Sequence, residues 1–271
     1  MDRLSVLESA VVGFSGGVDS GLLCVAAYQV LGNKMLAVTI KTPVETAGTI
    51  EVAMALAKQF GFPHKIIEFN DLADEKFVSN PADRCYHCKR MDFGIIWKEA
   101  HKAHFTHVLD GSNADDLTDY RPGRKAAEEL QVTSPLLEVG FKKPDIREVA
   151  RALGMINWDR PSSPCLASRF PYGTRITQVG LEKVAAGEAY LQGLGFQVVR
   201  VRYGGASVRI EVDPQEIDRL IEKRSEAVKF FKGLGFKYVL VDLEGYRQGS
   251  LNEVLPARRI GVTSGMTESR I

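Results

Sequence analysis

The sequence has no apolar run of about eighteen residues, the length a membrane-crossing helix needs. Its first residues, Met1-Asp2-Arg3, lack the apolar core of a secretory signal. These two absences predict a soluble, cytoplasmic chain. A charge bias is missing as well. Among 271 residues, 35 Lys and Arg stand against 34 Asp and Glu, so no global field favours a nucleic-acid partner. Cysteine is scarce, with four residues. In a chain of this size and type, so few point to metal binding or catalysis rather than a disulfide framework. One Cys-x-x-Cys pair is present and no second, which excludes a four-cysteine structural zinc site. Carboxylates paired for general acid–base work are not evident either.

What is there reads as alternation. Strand-like apolar runs at Ala10–Phe14, Met35–Ile40, His64–Phe69 and His107–Asp110, with a short one near Pro135–Leu137, alternate with helical patterns. The helices are expected at Gly21–Leu31, Thr46–Phe60, Cys88–His101, Arg121–Leu130 and Pro144–Leu153. The last has Pro144 at its start, Asp145 in its first turn and Gly154 just past its end. This order predicts an α/β domain with a doubly wound, mainly parallel sheet over residues 1–170, with a ligand beyond the strand C-termini. The segment Asn157–Thr174, with Pro161, Pro164, Pro171 and Gly173, reads as a joint.

After it comes an internal repeat. Tyr190-Leu191-Gln192-Gly193-Leu194-Gly195-Phe196 returns as Phe230-Phe231-Lys232-Gly233-Leu234-Gly235-Phe236. Each copy reads as a helix end with a glycine cap leading into a strand. With the alternating Ser207–Val212 between them, residues 171–255 are expected to form a small αββαβ (α+β) domain. Residues 256–271 read as a mobile tail.

Ser15-Gly16-Gly17-Val18-Asp19-Ser20 lies between the first strand and the first helix. Glycines there let backbone N–H groups approach a phosphate, and the helix N-terminus adds about half a positive charge. Ser15 and Ser20 offer further donors, and Asp19 can cap the helix or help hold magnesium. No Gly-Lys-Ser/Thr follows, so the loop is not a Walker A motif. Asp110-Gly111-Ser112-Asn113-Ala114-Asp115-Asp116 follows the fourth strand on the same sheet edge. Gly111 allows a close ligand approach, and Asp116 is a candidate to share magnesium.

Cys85 and Cys88 stand three residues apart where a loop enters a helix, a spacing that grips one metal or cluster. Cys165 is the other loop cysteine. Three such ligands leave one position open; His87 as a fourth zinc ligand and a metal-free redox pair are the alternatives. Cys24 lies on an apolar helical stretch and reads as core. Lys89 and Arg90 read equally well as groups that stabilise charge at the site and as a solvated first turn.

The Ser15–Ser20 loop resembles the PP-loop (SGGxDS) of the ATP pyrophosphatases, whose second nucleotide motif resembles residues 110–116. That resemblance implies cleavage of ATP, with Mg2+, to AMP and pyrophosphate. The segment Ser168-Arg169-Phe170-Pro171-Tyr172-Gly173-Thr174, with Asp119-Tyr120-Arg121-Pro122-Gly123 and Arg200-Val201-Arg202, resembles the LarE family. These are sulfur transferases that build the nickel-pincer nucleotide of lactate racemase. The resemblance implies adenylation of a pyridinium biscarboxylate mononucleotide, a small-molecule substrate, followed by displacement of AMP by sulfur. It places the substrate phosphate on Ser168, Arg200 and Arg202, two of them arginines at alternate positions of one strand face. It also implies a hexamer and a sulfide or other sulfur donor. Where some members sacrifice one cysteine, Cys85, Cys88 and Cys165 look like the type that holds a 4Fe–4S cluster with one iron free.

Overall fold

Four apolar runs line up as one parallel sheet in this structure, a computed structural model that describes residues 1–117, 121–161 and 164–255. After the short helix α1 (Asp2–Ser5), the elements run β1 (Ala10–Gly13), α2 (Val18–Leu31), β2 (Met35–Lys41), α3 (Thr49–Phe60) and β3 (His64–Glu68). Then come α4 (Glu75–Val78), α5 (Arg84–Lys102), β4 (His107–Leu109), α6 (Gly123–Glu129), α7 (Pro135–Glu138) and α8 (Lys143–Ala152). Strand order is β3-β2-β1-β4, so β1 is central and its neighbours are reached by crossovers in opposite directions.

The inner strands β1 and β2 are mostly apolar on both faces because helices cover both. Ala10, Val12 and Phe14 pack with Leu22, Leu23 and Ile146 on one side. Val11 and Val38 pack with Phe93, Ile96 and Val108 on the other. Each of the Val, Leu, Ile and Phe side chains among these stabilises the fold by about 1.5–3 kcal/mol through burial. Cys24 is fully buried in the first of these clusters, as its apolar surroundings in the sequence implied.

The expected strand at Pro135–Leu137 is instead the helical turn α7, with Pro135 at its start. Proline presets the helical φ and lacks an N–H to give a sheet, so it favours a first helical turn. The sheet gains only a single parallel bridge there, Leu109 to Thr133. Helix α5 begins at Arg84, four residues before the expected Cys88, which puts both Cys85 and Cys88 in its opening turns.

A second sheet forms from α9 (Gln178–Gly193), β5 (Val199–Gly204), β6 (Ser207–Val212), α10 (Ile217–Glu222), α11 (Arg224–Gly233) and β7 (Tyr238–Val241). The expected single helix between β6 and β7 is two, broken at Lys223. Strand order is β5-β6-β7, antiparallel then parallel. The two repeat copies meet. Tyr190 and Phe230, at matching positions, stack with ring centroids 3.9 Å apart and planes 6° from parallel. Gly195 and Gly235 both take left-handed φ, +90° and +88°.

Phe77 and Val78 of α4 are buried in this second core, with Leu166, Ala167 and Phe170. The proline-rich joint is therefore fixed in place by its own buried residues. The expected tail at 256–271 lies outside the described residues, as do Asp119 and Tyr120 of one motif. Among the described residues no helix is long and apolar enough to cross a membrane.

Candidate active site

The loop after β1 is built around two glycines. Gly16 has φ +71°, and a Cβ there would stand 2.7 Å from the Thr49 carbonyl oxygen. Gly17 is the extended N-cap of α2, and no side chain caps that helix. Its first N–H groups are left for an anion. Ser20 Oγ accepts from the Ser15 amide at 3.2 Å and lies 3.1 Å from Ser15 Oγ, closing the loop on itself. Asp19 does not cap. Its carboxylate takes both hydrogen bonds of Lys143 Nζ at 2.7 Å, and Asn113 donates to it at 3.4 Å. From the joint, Asn157 Nδ2 donates to the Gly16 carbonyl at 3.0 Å.

Gly111 comes against this loop from β4. A Cβ on it would lie 2.7 Å from the Ser20 nitrogen and 2.8 Å from Ser20 Cα. Asp110 accepts from Ser112 Oγ at 2.7 Å and Ser134 Oγ at 2.6 Å. Asp116 accepts from the Asn113 amide at 3.0 Å and pairs with Arg121 at 2.9 Å. Burial raises the Asp116 pKa, the Asn113 amide and Arg121 opposing. The two loops enclose a cavity of about 280 Å³ lined by Ser15, Gly17, Asp19, Ser20, Gly111 and Asp116 together with Lys89, Asp92 and Arg121.

A second cavity, of about 370 Å³, opens from the same loop and is lined by Cys85, Cys88 and Cys165. Lys89, Asp92, Glu45 and Asp19 line both cavities. Cys88 Sγ donates to Asp92 at 3.8 Å. Burial pushes the Cys88 thiol up, with Asp92 adding to the shift. Burial raises Cys165 too, against the pull of Arg84. His87 is not on the cavity wall; it faces Asp83 at 3.8 Å and packs on Tyr86. Arg90 turns away to Tyr86. Lys89 is the one of the two basic neighbours that the structure brings to the cavities, over the Phe93 ring. Burial works against its charge, but Asp92, Cys88 and Asp110 together raise its pKa.

Across the Cys165 loop stands β5. Arg202 forks onto Glu211 at 2.9 and 2.7 Å and donates to the Ser168 carbonyl at 3.0 Å. Arg200 has no carboxylate in ion-pair contact among the described residues. It lies over Tyr246, and burial, with Arg169 nearby, lowers its pKa. Ser168 Oγ donates to the Cys165 carbonyl at 2.8 Å. Ser168, Arg200 and Arg202 thus gather beside the Cys165 loop, but Arg202 is already held by a carboxylate, so Arg200 is the freer cation.

Comparison with known proteins identifies the family. The NAD synthase family profile matches residues 3–84, the segment with the phosphate loop. A pyridinium-3,5-bisthiocarboxylic acid mononucleotide synthase of Lactiplantibacillus plantarum is 36% identical over 253 residues, 93% of this chain and 92% of that enzyme. The chain belongs to this family, the LarE family of PP-loop proteins. An uncharacterized protein of Synechocystis sp. is 41% identical over 92% of this chain and 94% of its own length. One of Methanocaldococcus jannaschii is 35% identical over 89% and 91%.

Three charged groups at the site, two buried arginines and the half-buried Glu45, have roles that the sequence alone does not assign. Arg169 is 1% exposed and forks onto Glu188 at 2.8 and 2.9 Å, while donating to the carbonyls of Pro164 and Cys165. Arg84 is buried beside the cysteines. Glu45, on both cavity walls, is raised to a pKa of about 7 by burial and by Asp92, with Lys89 opposing and Asp71 adding. Above its ordinary value of 4.5 the folded chain holds this proton more tightly than the unfolded one, so stability falls as pH rises from about 4.5 to 7. Glu45→Gln is therefore expected to stabilise the ligand-free chain by about 2 kcal/mol at pH 8, a gain that fades below about pH 5. Urea unfolding at the two pH values checks it; a difference independent of pH would contradict the assignment.

Proposed function

We propose that this chain is an ATP-dependent sulfur transferase that converts the carboxylates of pyridinium biscarboxylic acid mononucleotide to thiocarboxylates. The observation that supports it most is the shared wall: Lys89, Asp92 and Glu45 border both the phosphate-loop cavity and the cavity of the three cysteines. An intermediate made in the first therefore needs to move little to meet sulfur in the second.

In this reading residues 1–170 carry the ATP half-reaction. The amides of Gly17 to Ser20 and the uncapped start of α2 hold ATP phosphates, and Gly111 allows the nucleotide to lie close. Asp19, Asp110 and Asp116 would supply the one or two carboxylates that usually hold magnesium beside a nucleotide, and the ion would offset phosphate charge. A substrate carboxylate oxygen attacks the α-phosphorus and pyrophosphate leaves. Lys89 stands where it offsets the charge that develops. A sulfur nucleophile then attacks the acyl carbon, the acyl–oxygen bond breaks, and AMP leaves; the hydrosulfide proton passes to solvent or to a carboxylate. Residues 171–255 supply the anchor, with Arg200 and Ser168 receiving the substrate phosphate and Arg202 holding the Ser168 segment in place.

The three cysteines fit an iron–sulfur cluster by their chemistry: three thiols on one cavity wall, with no histidine among them. Among the described residues no group of three His, Cys, Asp or Glu converges on a single metal ion. A cuboidal cluster needs no such convergence, because each thiolate takes a different iron. Bound on Cys85, Cys88 and Cys165, a 4Fe–4S cluster would leave one iron free to carry the sulfide to be transferred.

The test is an anaerobic reaction of iron-reconstituted protein with ATP, sulfide and the pyridinium mononucleotide. AMP, pyrophosphate and thiocarboxylate are expected in equal amounts, at more than one product per chain. Thiolation of tRNA under the same conditions, or amide formation from ammonia, with no thiocarboxylate, would overturn the reading.

A further inference from the structure

We infer that Arg84 is a positioning residue for the sulfur-handling site: it clamps the helix carrying Cys85 and Cys88 to the loop carrying Cys165 and supplies the positive charge that those thiolates require. The inference rests on the sulfur-transfer reading for its purpose, but its geometry stands alone.

Arg84 is the first residue of α5, next to Cys85, and is 3% exposed. Its guanidinium Nη1 donates to the Ala167 carbonyl at 3.1 Å, two residues beyond Cys165, and to Asn80 Oδ1. Asn80 is fully buried with a left-handed φ of +54°. Its amide nitrogen donates to the carbonyls of Phe170, Pro171 and Thr174 at 3.3, 2.8 and 3.1 Å. One amide therefore accepts from the cysteine helix and donates to the far side of the cysteine loop. Arg84 and Asn80 grip the loop on the stretch that follows Cys165, while Arg169 holds the Cys165 carbonyl itself.

The charge is the second observation. Among the described residues no carboxylate pairs with Arg84. A guanidinium stays protonated at any ordinary pH, and a buried cation without a counter-charge is strongly unfavourable. The acidic groups that surround it are the thiols of Cys165 and Cys85, which become counter-charges only when deprotonated or metal-bound. The arginine also lines the cavity that the three cysteines share. Metal-bound thiolates on that wall would give the guanidinium its counter-charge. This is the relation of an outer-shell residue to a metal site, where loss of the partner weakens metal affinity by about 10–100-fold.

The experiment compares the wild-type chain with Arg84→Gln, which removes the charge, and Arg84→Lys, which keeps the charge on a shorter, non-planar head that does not reach Asn80 and Ala167 in the guanidinium's geometry. In metal-free protein, hydrogen exchange of the amides between residues 164 and 176 reports the clamp. Both variants are expected to exchange there roughly tenfold faster or more, with the phosphate loop unaffected. In reconstituted protein, iron retention against a chelator and the cluster's reduction potential report the charge. Arg84→Gln is expected to lose iron about tenfold more readily and to shift the potential of what remains downward, whereas Arg84→Lys keeps the wild-type potential. Unchanged loop exchange together with unchanged iron retention in a folded Arg84→Gln would overturn the inference. If Arg84→Gln does not fold, Arg84→Lys decides it through loop exchange alone. A wild-type chain that binds no iron would defeat the sulfur-transfer reading and leave the exchange comparison to settle the clamp.

Discussion

Cys165→Ser is expected to reduce thiocarboxylate formation at least a thousandfold, about 4 kcal/mol of barrier, while pyrophosphate release driven by the substrate carboxylate survives. The separation follows from position. Cys165 lines the second cavity and is absent from the walls of the first. Its loop is held by groups that do not involve its sulfur: Arg169 on the Pro164 and Cys165 carbonyls, Ser168 on the Cys165 carbonyl, and Arg84 on Ala167. Serine changes the side-chain volume little, so the backbone is retained and the change is chemical. Product analysis beside a pyrophosphate-exchange assay reads both halves in one sample. A serine variant that still makes thiocarboxylate at the wild-type rate would remove Cys165 from the sulfur path. One that loses exchange and product together would show that the two cavities do not divide the work.

Gly111→Ala is expected to cost the adenylation step about a hundredfold and to destabilise the chain by about 1–3 kcal/mol. The new methyl would meet backbone, with Ser20 N at 2.7 Å, Ser20 Cα at 2.8 Å and the Asp19 carbonyl carbon at 3.1 Å. No side chain can rotate away to relieve it. Either the first turn of α2 moves back or β4's exit loop does, and both carry walls of the first cavity. Gly94→Ala is the control, since a Cβ there meets nothing within 4 Å and lies in the middle of α5. Alanine at that site is expected to leave activity unchanged and to stabilise by about 0.5–1 kcal/mol. Thermal unfolding and ATP titration of both variants check the pair. Wild-type nucleotide binding in Gly111→Ala would mean that the two loops do not meet as described.

Much of this was legible because the signals were local. Apolar runs bounded by glycine located β1 to β4, and the Gly193–Gly195 and Gly233–Gly235 repeats located two helix ends. Local signals misled where they were short. Pro135-Leu136-Leu137 looks like a buried strand until the proline is weighed as a helix start. A charged run such as Glu216–Glu226 hides a break at Lys223. The buried charges were beyond reach for a different reason. Arg84 follows Asp83 and Arg169 follows Ser168, and an arginine in a loop-like stretch ordinarily reads as solvated. Their roles depend on Ala167 and Asn80 in one case and on Glu188 in the other. For Ala167 the separation is 83 residues, and only folding brings it to Arg84. The cysteines themselves stood out by spacing, whereas the framework that aims them did not.

Phe77 and Val78 lie in sequence between the strands of the parallel sheet and by packing in the core of the small sheet. Covalent order and packing order therefore disagree across residues 75–84. The two halves are not interchangeable modules, and an exchange of parts between relatives that cuts at the proline-rich joint would strip the small sheet of part of its own interior. A chimera built to retarget the substrate would have to carry the α4 segment, Asn80 included, along with the strands it serves.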